Sequence, residues 1–123
     1  MSSYKDLIVW QKSIELTTSI YKITESFPKS EMFGITSQMR RASIAIASNI
    51  AEGQRRGHKL EYIQFLRIAY GSGAELDTQL LIAHRVGFIT DDQYNQTSSL
   101  LDEVMKMLNK MIYSTDYRLL TTN

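Results

Sequence analysis

Apolar residues recur at steps of three and four along four stretches of the chain, and the helix breakers other than Gly71 and Gly73 fall between those stretches or at their ends. Pro28 is the single proline, and there are six glycines. The first stretch runs from about Lys5 to Ser26 and stops ahead of Phe27-Pro28, because the residue before proline is pushed out of the α region. The second begins between Ser30 and Thr36, either of which can serve as an N-cap, and ends at Gly53, read as a left-handed residue just past a helix. The third runs from about His58 to Val86, with Gly87 as its stop. The fourth opens on Thr90-Asp91-Asp92-Gln93, a capping box with two acids on the positive helix end, and runs to about Tyr113. No segment alternates with period two, and no hairpin dipeptide separates two β-rich runs. The pattern predicts an all-α fold, an antiparallel up-down-up-down four-helix bundle about 30–40 Å long. Residues 1–123 are expected to form one domain, with a core over about 4–114 and a frayed tail at 115–123.

The helices differ in what their faces offer. In the fourth, Tyr94, Thr97, Leu101, Val104, Leu108 and Met111 step by threes and fours, the spacing of a bundle seam. The first carries two stripes. Leu7, Trp10, Ile14 and Tyr21 form one; Val9, Leu16, Ile20, Ile23 and Phe27 form another, more than about 100° away around the axis. One core needs one stripe, so the second predicts a homo-oligomer interface at Val9, Leu16, Ile20 and Ile23, unless a bulky core reaches around the helix. Small residues mark the middle of the chain, at Ala42-Ser43-Ile44-Ala45-Ile46-Ala47-Ser48 and Gly71-Ser72-Gly73-Ala74. Close approach of the second and third helices explains them; a local kink is the alternative.

Composition narrows the chemistry. Hydrophobic residues make up 43% and charged residues 22%, ordinary for a globular domain. There are no cysteines, which removes disulfides, thiolate metal sites and cysteine nucleophiles. With no membrane-length apolar run and no signal-peptide pattern at the start, a cytoplasmic protein without membrane contact is expected. The net charge is only +1, but it is unevenly spread. Between Arg40 and Arg67 six basic residues face two acids, Glu52 and Glu61, whereas residues 68–123 hold four basic residues and seven acids.

An enzyme is not expected. His58 and His84 are the two histidines; they lie about a helix length apart, His84 has no carboxylate at i+3 or i+4, and no nucleotide loop or nucleophile elbow is present. Neither a cofactor nor a metal is predicted. Asn49, Glu52 and Glu75 are read as a structural polar network satisfied by arginine, with a metal-binding carboxylate pair as the alternative. The sharpest feature is Gly53-Gln54-Arg55-Arg56-Gly57-His58-Lys59. It concentrates cations between glycines at the mouth of a helix, where free N–H groups favour anions and arginine can grip phosphate in bidentate fashion. Such groups bind backbone phosphate without reading bases. Arg55, Arg56 and Lys59 are the predicted nucleic-acid contacts, with Arg40 and Arg41 either joining them or held by Glu52.

Trp10-Gln11-Lys12, Tyr21, Phe27-Pro28, Glu31, Gly34, Gln38, Arg40-Arg41-Ala42, Asn49-Ile50-Ala51-Glu52-Gly53, Arg56, Phe65-Leu66, Ala69, Gly71-Ser72 and Glu75-Leu76 resemble the four-helix-bundle family of 23S ribosomal RNA intervening-sequence proteins, over roughly residues 4–114. Ala45 and Ala47 depart from it, standing where that family often has serine and proline. The resemblance implies a ring-shaped homopentamer of bacterial origin. It also implies kinship with the accessory variability determinant proteins of diversity-generating retroelements, which bind nucleic acid and a reverse transcriptase. It implies no catalytic residue. Taken together, these features predict a non-enzymatic nucleic-acid-binding module working as a homo-oligomer on RNA or DNA backbone. A structural or protein-interaction scaffold is the alternative.

Overall fold

The computed structural model describes residues 3–121, with side chains to residue 114. Four α-helices follow one another: α1 (Ile8–Thr24), α2 (Ser37–Arg56), α3 (Lys59–Arg85) and α4 (Asp91–Thr121). No strand occurs among the described residues. Helix α1 packs on α2, α2 on α3, α3 on α4 and α4 back on α1, so short connections close an antiparallel four-helix bundle.

Local chemistry sets most of the boundaries. Tyr4–Asp6 form a 3-10 turn capped by the Ser3 hydroxyl, which accepts from Lys5 N at 3.1 Å. Leu7 is extended (φ −76°, ψ 126°), so α1 starts at Ile8 and not at Lys5 as predicted. Between α1 and α2, Pro28 leads into a 3-10 turn at Lys29–Glu31 and a π turn at Met32–Thr36, broken at Gly34 (φ −110°, ψ −121°). The predicted capping box of α4 is present: Thr90 N donates to Gln93 Oε1 at 2.9 Å, and Gln93 N donates to Thr90 Oγ1 at 3.1 Å. Helix α4 continues to Thr121, past the Tyr113 end that the sequence suggests. Of the predicted frayed tail, residues 122 and 123 lie outside the described residues.

Helix α2 does not end at Gly53. It runs on to Arg56, and Gly57 is the left-handed terminator (φ 75°). Gly53 is a packing residue: a Cβ there would lie 2.6 Å from Phe65 Cβ and 3.1 Å from Tyr62 Cδ1 of α3. Gly53, outside the small-residue runs singled out in the sequence, thus brings the α2 backbone onto α3. Gly73 differs, because a Cβ there would strike Met105 of α4, not α2.

The core corrects the reading of α1. Leu16 and Ile20 are fully buried, and Val9, Ile23 and Phe27 are nearly so, all inside the chain's own core with Met39, Ile46, Leu66, Leu76 and Val104. The predicted interface residues Val9, Leu16, Ile20 and Ile23 are therefore intramolecular. Of the other stripe, Leu7 and Trp10 are half-buried against the edge of the core, and Ile14 and Tyr21 face outward, 42% and 39% exposed. Both stripes are apolar enough to be buried; the positions of α2 and α4 decide between them. A glutamate at Leu16 or Ile20 would put a charge in the core and unfold the bundle rather than dissociate an assembly.

Candidate nucleic-acid interface

The predicted basic loop is mostly helix. Arg55 and Arg56 form the last turn of α2, only Gly57 and His58 separate it from α3, and Lys59 is the first residue of α3. His58 occupies the N-cap position (φ −122°, ψ 130°) without a side-chain capping bond. The five predicted phosphate contacts consequently lie along a helix face and its terminus, not on a glycine-flanked loop.

Their surroundings separate them. Arg56 is held inside the chain: Nη2 donates to Glu52 Oε2 at 2.9 Å, Nη1 to Glu61 Oε2 at 3.3 Å, and the guanidinium lies 5.2 Å from the Phe65 ring centroid. The Glu52 hydrogen bond, partly opposed by loss of solvent, raises its pKa above the usual guanidinium value. Arg56 ties the end of α2 to the start of α3. Arg40 lies over the Tyr21 ring at 4.6 Å and donates from Nε to Thr24 Oγ1 at 2.9 Å, and among the described residues no carboxylate reaches its η nitrogens. Arg55 approaches the Tyr4 ring at 5.7 Å, and Tyr4 meets Trp10 edge-on at 5.3 Å. Arg41 is exposed beside a shallow groove shared with Gln38, Ala45 and Glu75. Lys59 is exposed.

The predicted polar network does not form. Asn49 Nδ2 donates to Ala45 O at 2.7 Å within its own helix, Glu52 holds Arg56, and Glu75 accepts from Gln79 Nε2 at 3.4 Å within α3. Each residue finds its nearest partner one helical turn away, where reach is shortest. Among the described residues no three histidine, aspartate or glutamate side chains converge on a point that could hold a metal ion. His84 has a partner that the search at i+3 and i+4 missed: Nε2 lies 2.7 Å from Asp91 Oδ1, and the ring stacks on Tyr94 at 4.4 Å. The turn at Gly87 folds the start of α4 back onto the end of α3. The aromatic partners of Arg40 and Arg55 were also missed, since they lie on another element.

A family model described as 23S rRNA-intervening sequence protein matches residues 5–110. No curated protein matches the chain. Among solved structures, the chain is similar to a protein of unknown function of the S23 ribosomal protein family from Bacteroides thetaiotaomicron VPI-5482. The two are 27% identical with a TM-score of 0.77, over 85% of this chain and 98% of that one. Among the described residues no helix is long and apolar enough to cross a membrane. A match running from the Tyr4–Asp6 turn through most of α4 covers all four helices and the basic face of α2, and on it this chain belongs to the 23S rRNA-intervening sequence protein family.

Proposed function

We propose that the chain is a non-enzymatic nucleic-acid-binding module that contacts phosphate through Arg40, Arg41 and Arg55 on α2, with Lys59 beside them. The observation that carries this reading is the charge balance of α2. It holds four arginines and one acid, Glu52, and that acid is used by Arg56. No carboxylate lies within ion-pair distance of Arg40, Arg41 or Arg55 among the described residues. Uncompensated guanidinium groups along one helix give an electrostatic, sequence-independent grip on a polyanion. The family's name links it to 23S rRNA, which favours RNA as the polyanion.

The module is read as working in a homo-oligomeric ring, which repeats a modest patch and gains by multivalency. Its interface is reassigned to the outer side of α3, where Leu60 is 72%, Ile68 47%, Ile82 48% and Val86 56% exposed. Gly71 sits among them with nothing within 4 Å of a Cβ position. Within one chain this glycine costs helix stability with no compensating contact, and a second chain packed over α3 would supply one. The second reading, a scaffold for a protein partner such as a reverse transcriptase, is favoured by Phe33, which is 95% exposed at the turn before α2.

The test is a salt series of RNA binding together with solution mass. Wild type should bind at low salt and lose affinity steeply, with a log–log slope near −0.7 to −0.9 per phosphate neutralised. Arg40→Ala with Arg41→Ala and Arg55→Ala should flatten the slope, while Arg56→Ala should leave it nearly unchanged. Absence of binding at low salt, or equal loss from Arg56→Ala, would put the scaffold reading first.

A further inference from the structure

The exposed edge between α1 and α2 carries aromatic rings and arginines in a particular order. At one end, the Arg40 guanidinium of α2 lies over the Tyr21 ring of α1 at 4.6 Å. At the other, Arg55 lies over the Tyr4 ring at 5.7 Å, and Tyr4 packs edge-on against Trp10. Ile14 and Ile44 fall between these two pairs along their helices, each 42% exposed. The helices touch closely here, since Thr17 Oγ1 donates to Ser43 O at 3.1 Å. From Arg40 to Arg55 the rise along α2 is about 22 Å, which matches about six stacked nucleotides at ~3.4 Å per step.

We infer that this α1–α2 groove binds single-stranded RNA by stacking bases on the Arg40–Tyr21 and Arg55–Tyr4 pairs. The inference rests on the phosphate-binding reading of α2 and names the substrate class. A guanidinium held over a tyrosine ring forms a cationic, planar platform with it, and an unpaired base can stack there while the η nitrogens reach the adjoining phosphates. Charge complementarity fits the same ligand, since neither arginine has a carboxylate partner among the described residues. A duplex fits poorly. It presents charged phosphates outward and hides its bases, so Ile14 and Ile44 would desolvate phosphate with nothing in return. A single strand can lay its bases against those isoleucines. Because the groove reads π faces and not base edges, it should tolerate any sequence.

The experiment compares a mixed-sequence single-stranded RNA of about twelve nucleotides with the same strand annealed to its complement. Trp10 is the only tryptophan in the chain, so its fluorescence reports on the groove without a label. The single strand should bind at least several-fold more tightly than the duplex and should quench Trp10. Tyr21→Leu, at an exposed position that leaves the core intact, should weaken single-strand binding roughly tenfold and leave duplex binding unchanged. Arg40→Lys, which keeps the charge and loses the plane, should do the same to a smaller degree. Equal affinity for single strand and duplex without quenching would overturn the groove while leaving the basic face of α2 standing. Absence of binding to either RNA would overturn both. A Tyr21→Leu variant that changes solution mass but not RNA affinity would show the groove to be a contact between copies of the chain, and would also overturn it.

Discussion

Alanine at three glycines should give three different stabilities, because their surroundings differ while the chemical change is the same. In a helix interior Gly→Ala gains about 1 kcal/mol, through a smaller loss of backbone freedom on folding. At Gly71 nothing lies within 4 Å of the new methyl, so a dissociated chain should be stabilised by about that full amount. At Gly73 the methyl meets the side chain of Met105, whose thioether can swing aside. A strain of about 1 kcal/mol then cancels the gain. At Gly53 the methyl would lie 2.6 Å from Phe65 Cβ, an atom bonded to the α3 backbone. No rotamer relieves that contact, so α2 and α3 must separate by about 1 Å, at the upper end of overpacking costs, ~3 kcal/mol. Gly53→Ala should therefore be destabilised by a net ~2 kcal/mol. At ~2.1 cal/mol/K per residue this lowers the melting temperature by about 8 °C. Thermal melts followed by circular dichroism, supported by urea titrations, measure the series. A Gly53→Ala protein as stable as wild type would refute the close approach of α2 and α3. Gly53→Ala and Gly73→Ala falling together would refute the distinction between rigid and flexible neighbours.

Thr90→Ala removes the reciprocal cap of α4 and should cost about 1 kcal/mol in a urea titration, with Gln93→Ala costing less because only the return bond is lost. Burial raises the Tyr62 phenol above its ordinary 10.0, so above pH 10 the unfolded chain gives up a proton that the folded chain keeps. Stability should then fall as pH rises past that value, and Tyr62→Phe should shallow the fall in a series of melts at stepped pH. Gly71→Ala should weaken self-association if α3 packs against another copy, which sedimentation at several concentrations would show; an unchanged association constant would count against the α3 interface.

What a residue does within one helical turn was legible in the sequence. The period of the apolar positions, the arrest before Pro28, the left-handed Gly87 and the Thr90–Gln93 box all depend on groups within about four residues, and all are present as read. What depends on a second element was not. Val9, Leu16, Ile20 and Ile23 and the stripe through Trp10, Ile14 and Tyr21 are both apolar enough to be buried, and only the placement of α2 and α4 buries the first set fully and leaves Ile14 and Tyr21 exposed. Gly53 and Gly57 are both plausible terminators by local rules. Phe65 needs the first as a packing surface, and that leaves the second to end the helix. Arg56 has Glu52 one turn back in its own helix, a partner within local reach, and the turn at Gly57 adds Glu61, whereas among the described residues Arg40 and Arg55 stay without a carboxylate and take up tyrosines from α1 and the turn before it. Local free energies select the element, but the choice of face and the fate of each charge are settled by groups distant in sequence, whose positions exist only once the helices have packed.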